Sequence, residues 1–191
     1  RALGEERIGP LLFRLSVPAT VGMLAMALYN VVDTIFIGRG LGSLAIAGVS
    51  IVMPIQMLIF SLSQTLGLGA ASIISRRLGA KDFPGAENAF GNVLLLNIVV
   101  SGMIVLLGYL FADQLLFIFG SQGEMAPYAH DYFIYILIGT PFLMFDMIFN
   151  NVNRAEGNIK IAMITMVIAA LLNIIFDPIF IFGLKLGVKG A

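Results

Sequence analysis

Five apolar runs, each close to or beyond the roughly 20 residues that an α-helix needs to cross a bilayer, dominate this chain. They read Leu15 to Ile37, Leu44 to about Ile74, Phe90 to Phe111, about Tyr128 to Phe149, and Ile161 to Phe182. The expected fold class is therefore all-α, a polytopic membrane helix bundle of about five transmembrane helices. Composition agrees: of 191 residues, 59% are hydrophobic and only 12% charged. The mean hydropathy is +0.99. A soluble domain carries about twice that charge.

The second run exceeds one bilayer thickness and holds Pro54, so a long, bent helix is expected there. Gly38 to Ser43, Gly79 to Gly85, Gly120 to Pro127, and Gly157 with Asn158 punctuate the spans as loops. Residues 1–14 mix charges with Ile8, Leu11 and Leu12 at helical spacing, as in a segment lying in the membrane interface. The chain opens on Arg1 and stops at Ala191 after a Gly-rich turn, so both ends read as cut from something longer.

Basic residues set the orientation, because short positive loops stay cytoplasmic. With the amino terminus inside, Arg1, Arg7, Arg14, Arg76, Arg77, Lys81, Arg154 and Lys160 are cytoplasmic, against Arg39, Lys185 and Lys189 outside. The expected location is the cell membrane, as a multi-pass protein of a prokaryotic inner membrane. Zero formal charge gives no reason to expect nucleic acid, and the single histidine, His130, has no second zinc ligand at metal-site spacing. Without Gly-x-Ser-x-Gly, His-Glu-x-x-His or a Gly-x-Gly-x-x-Gly after a strand, an enzyme is not expected.

Carboxylates inside spans cost free energy and tend to mark ion or substrate paths. Three are present: Asp33, Asp146 and Asp177. In the orientation above, Asp33 and Asp177 both lie a turn or so before the outer ends of their helices and so at similar depth, provided that the first and fifth spans are neighbours. Asp146 falls towards the cytoplasmic end of the fourth span, where it is expected to be solvated rather than paired with the other two. Asn173 precedes Asp177 by four residues and shares its helix face, while Asn30, Asp33 and Thr34 form a polar stripe on the first span. Oxygen ligands suit a sodium ion, and a buried carboxylate suits a proton. Pro178 leaves the Ile174 carbonyl without a donor, so a kink is expected there. Tyr132, Asn150, Gln56 and Gln64 either line a water-filled cavity or tie helices together.

Three segments, Leu28-Tyr29-Asn30-Val31-Val32-Asp33-Thr34-Ile35-Phe36-Ile37-Gly38, Arg154-Ala155-Glu156-Gly157 and Asn173-Ile174-Ile175-Phe176-Asp177-Pro178, together resemble the multidrug and toxic compound extrusion (MATE) transporters. The resemblance implies half of a twelve-helix fold: five helices of a six-helix amino-terminal lobe, with Gly187 to Ala191 leading into an absent sixth helix and the carboxy-terminal lobe of the same chain missing. It implies that Asp33, Asn173 and Asp177 form the cation site for a proton or sodium ion, with Tyr132, Asn150 and Asn30 on the substrate cavity and no cofactor. The implied activity is antiport, in which small amphipathic or cationic organic compounds are exported in exchange for that ion. A lipid-linked oligosaccharide flippase of the same superfamily and a non-transporting structural membrane subunit are the alternatives.

Overall fold

The computed structural model describes residues 8–184, 186 and 187. Six α-helices follow in order: α1 (Ile8–Leu41), α2 (Ser43–Gly79), α3 (Phe83–Leu110), α4 (Ala112–Ile118), α5 (Ala126–Ala155) and α6 (Ile159–Pro178). A 3-10 turn at Gly123–Met125 precedes α5, and a π-helical turn at Ile179–Gly183 follows α6. All helices but the short α4 are long and apolar enough to span a membrane. The expected bundle is present, with no strand among the described residues.

The elements differ from the expected boundaries at their ends. The helices run on past the apolar stretches, and α2 is unbroken for 37 residues, roughly 55 Å at 1.5 Å per residue. The expected interfacial segment is continuous with α1 from Ile8 onward, and its first seven residues lie outside the described ones. The lead-in to a sixth helix lies outside them beyond Gly187. After the third span the chain does not form a plain loop: α4 tucks Ala112 and Leu116 into the core.

The main seam joins α2 to α5. Along α2 the buried residues Ala45, Gly48, Val52, Ile55, Ile59, Ser63, Gly67, Ala70 and Ile74 recur every three or four positions, giving one continuous face. Two glycines on that face let the backbones close up: Gly48 abuts Tyr128 and Ala129, and Gly67 abuts Met147 and Asn151. Polar ties cross the same seam, where the Asn151 amide donates to Gln64 Oε1 at 2.7 Å. Phe133 and Met144 of α5 are fully buried beneath it.

The second seam joins α1 to α6, with Gly22 set against Met163 and Met166 and Phe36 edge-on to Phe182 at 6.2 Å. The first and fifth spans are therefore neighbours. Large apolar side chains such as Met57, Leu95, Ile98 and Phe142 cover the outer faces, where lipid tails replace water.

Tight caps close the loops on the Arg-rich side. Gly157, at φ 86°, lets its own N–H reach Arg154 O and that of Asn158 reach Asn153 O, a Schellman closure of α5. The same hydrogen-bond pattern ends α2, but Lys81 occupies the left-handed position at φ 58°. Asp82 then caps α3 by accepting from the Gly85 N–H at 3.0 Å, and Arg77 donates to the same carboxylate.

Candidate functional site

A cavity of about 430 Å³ opens between α2, α5 and α6. Gln56 and Ile59 of α2, Tyr132, Ile136 and Thr140 of α5, and Asn173, Phe176 and Asp177 of α6 are among its walls. A larger opening of about 580 Å³ between α2 and α3 has no carboxylate in its walls. The smaller of the two holds the carboxylate of a membrane-spanning helix, Asp177.

The α1–α6 seam brings Asp33 within electrostatic reach of Asp177. Tyr29, one turn before Asp33, lies beside Asn173 and within reach of both carboxylates. Tyr132 faces the same group and its hydroxyl accepts from Gln56 Nε2 at 3.4 Å. Four helices thus converge on one polar cluster.

Asp177 is buried and Asp33 partly so. One oxygen of each, Asp33 Oδ1 and Asp177 Oδ2, is shielded from solvent without a hydrogen-bond partner. Leaving such atoms unpaired is costly, so the arrangement favours anything that supplies positive charge there, a proton or a cation. The donors are oxygens throughout, which fits a hard ion such as sodium. No three His, Cys, Asp or Glu side chains converge to hold a metal among the described residues, so a bound ion would draw on two carboxylates plus amide and hydroxyl oxygens.

Backbone geometry around Asp177 is unusual. The α-helical pattern ends at Pro178, which lacks an N–H, and the chain widens into the π-helical turn. Phe176 and Phe180 stack across this junction with ring centroids 5.6 Å apart and planes within 11°. Both rings face the cavity.

Of the residues anticipated from sequence, Asp33, Asn173, Asp177 and Tyr132 come together. Asn30 does not join them: it is exposed, and its amide donates back to the Met26 carbonyl at 2.8 Å. Thr34 bonds likewise to Asn30 O. Asn150 is absent from the cavity walls; its amide crosses to the Ala162 carbonyl of α6 at 3.1 Å and serves as an interhelical tie. Tyr29 and the stacked phenylalanines were not singled out from sequence. The four-residue interval from Tyr29 to Asp33 was the available signal, since it places both on one helix face.

Comparison with known proteins follows the same lines. The MatE family model matches residues 18–179. The chain is 33% identical over 176 residues to the multidrug export protein MepA of Staphylococcus aureus, covering 92% of this chain and 39% of MepA. It is 30% identical over 188 residues to an FAD transporter of Shewanella oneidensis, covering 96% of this chain and 41% of that protein. The chain thus spans about two fifths of the length of these relatives. Its fold superimposes with a TM-score of 0.91 and 45% identity on the MATE multidrug transporter DinF-BH, over 98% of this chain and 42% of that one.

Proposed function

Because the chain belongs to the MatE family, with the family model covering residues 18–179, we propose that it forms most of the amino-terminal lobe of a secondary antiporter. In this reading the complete protein exports amphipathic or cationic organic compounds in exchange for a proton or a sodium ion. The sixth helix and the carboxy-terminal lobe would come from further along the same polypeptide, and one lobe alone would not transport. It sits in the cell membrane, that of a prokaryote, with the amino terminus cytoplasmic, as the basic loops around Arg76, Arg77 and Lys81 favour.

The observation that carries the proposal is the pair of unpartnered carboxylate oxygens on Asp33 and Asp177, the second of which stands in the cavity wall. An ion entering from outside neutralises this cluster, and the lost charge weakens its hold on a cationic substrate in the adjoining cavity. One charge moving through 100 mV supplies about 2.3 kcal/mol, enough to drive a useful gradient. Asp33, Asn173 and Asp177 hold the ion, and Tyr132 with Phe176 and Phe180 walls the substrate. An anionic cargo, such as a flavin dinucleotide or a pyrophosphate-linked sugar, fits less well, because no Lys or Arg is among the walls of this cavity.

The test is ethidium efflux from cells producing a full-length protein that carries this sequence, under an imposed proton or sodium gradient. Asp33→Asn and Asp177→Asn should each abolish gradient-driven efflux at normal expression. Unchanged efflux in both would sink the cation site.

A further inference from the structure

A third intramembrane carboxylate, Asp146, plays no part in the cluster above. It lies within α5, nine residues before Ala155 and so roughly 13 Å from the end of the helix. It is exposed, and no described side chain hydrogen-bonds or ion-pairs with it. Its sequence position suggests plain solvation, but a lone carboxylate this far inside the helix end calls for a positively charged partner.

Its helix face shows where that partner comes from. Asp146 follows the cavity-wall residues Tyr135, Gly139 and Leu143 by eleven, seven and three positions, so it continues their stripe one turn beyond the cavity. Asn150, one turn further on the same face, bonds to Ala162 of α6, so this face looks towards the groove between α5 and α6. Asp177 thus stands in the cavity wall, and Asp146 follows on the same α5 stripe one turn past Leu143. Fourteen residues of α5, roughly 21 Å, separate Tyr132 from Asp146.

The interval between them decides the role. Its walls are Ile136, Leu143 and Phe176 with two hydroxyls, of which Thr140 donates to the Ile136 carbonyl at 2.9 Å and Tyr135 stands eleven residues of helix, roughly 16 Å, from Asp146. A proton relay needs a chain of polar atoms, which these walls do not offer. They suit the apolar body of an amphipathic cation whose charge rests on a carboxylate. The nearest basic residue on the same helix, Arg154, is eight positions away and donates to Met166.

We infer that Asp146 is a substrate-binding residue, the carboxylate that receives the positive end of an organic cation on the cytoplasmic side of the α5–α6 groove. This rests on the export reading proposed above. It makes Asp146 a determinant of substrate charge and leaves ion coupling to Asp33 and Asp177.

The experiment uses the full-length protein, purified and reconstituted in liposomes under a fixed ion gradient, with ethidium as the probe. Asp146→Asn should raise the ethidium KM about tenfold with Vmax unchanged. Asp146→Glu, which keeps the charge, should restore KM to near the wild-type value, and ethidium binding to detergent-solubilised protein should follow the same order. An unchanged KM in Asp146→Asn would overturn the inference. So would equal impairment of the Asn and Glu variants, which marks a packing role, or a fall in Vmax with altered ion dependence, which marks a coupling role. If Asp33→Asn still transports with the gradient while Asp146→Asn shows the KM effect, the cation site fails and this inference stands. Absence of ethidium efflux from wild type would overturn both.

Discussion

Asn150 reaches from α5 to α6, where its amide donates to the Ala162 carbonyl at 3.1 Å. Both residues are buried, and α5 and α6 otherwise share only a limited contact. Polar ties between membrane helices are worth about 0.6 to 2 kcal/mol. Asn150→Ala should accordingly lower the thermal unfolding midpoint of the detergent-solubilised protein by a few degrees, while the ethidium KM stays within about twofold. A large KM effect at unchanged stability would return Asn150 to the cavity.

Close packing of α2 on α5 makes a sharp pair of variants. A Cβ at Gly48 would fall 2.8 Å from Tyr128 Cβ and 2.9 Å from Ala129 N, whereas nothing lies within 4 Å of one at Gly69. Gly48→Ala should destabilise by about 1 to 3 kcal/mol, because backbone must move. Gly69→Ala should be neutral or gain up to about 1 kcal/mol from improved helix propensity. Unfolding curves of the two variants decide it; equal effects would contradict the α2–α5 seam.

The cap at the start of α3 predicts a pH dependence. A hydrogen bond from Arg77, and then one from the Gly85 N–H, hold the Asp82 carboxyl below its ordinary range. A depressed folded-state value means that the contribution is fully present above the unfolded value and is lost as pH falls through the folded one. Wild type minus Asp82→Asn stability should thus be flat from pH 7 to 5 and shrink below about pH 4. A difference that grows on acidification would reverse the sign and refute the cap's electrostatic role.

Tyr132 keeps its ring against the cavity while its hydroxyl meets Gln56 at 3.4 Å, a long contact. Tyr132→Phe should therefore leave stability within about 0.5 kcal/mol of wild type. Its effect should appear instead as a two- to fivefold change in ethidium KM, roughly 0.4 to 1 kcal/mol, measured in the full-length protein. A collapse in stability would instead make this hydroxyl a structural tie.

Much of this molecule was legible in one dimension, for a local reason. Hydrocarbon demands a minimum length of apolar helix and penalises each charge along it, so Leu15 to Ile37 or Ile161 to Phe182 declare themselves spans, and Asp33, Asp146 and Asp177 stand out within them. Caps such as Gly157 with Asn158 also read locally, because they need only the next few residues. What only the tertiary structure decided is which helices touch and which faces meet. Gly22 fits against Met163 and Met166, and that complementarity, between residues more than 140 positions apart, carries Asp33 to Asp177 and Tyr29 to Asn173. Spacing placed Asn30 in the same stripe as Asp33, yet packing turned Asn30 away and spent Asn150 on Ala162. Helix packing in a membrane depends on close steric fit between distant segments rather than on burial of apolar residues from water, and a one-dimensional hydropathy pattern carries no record of that fit.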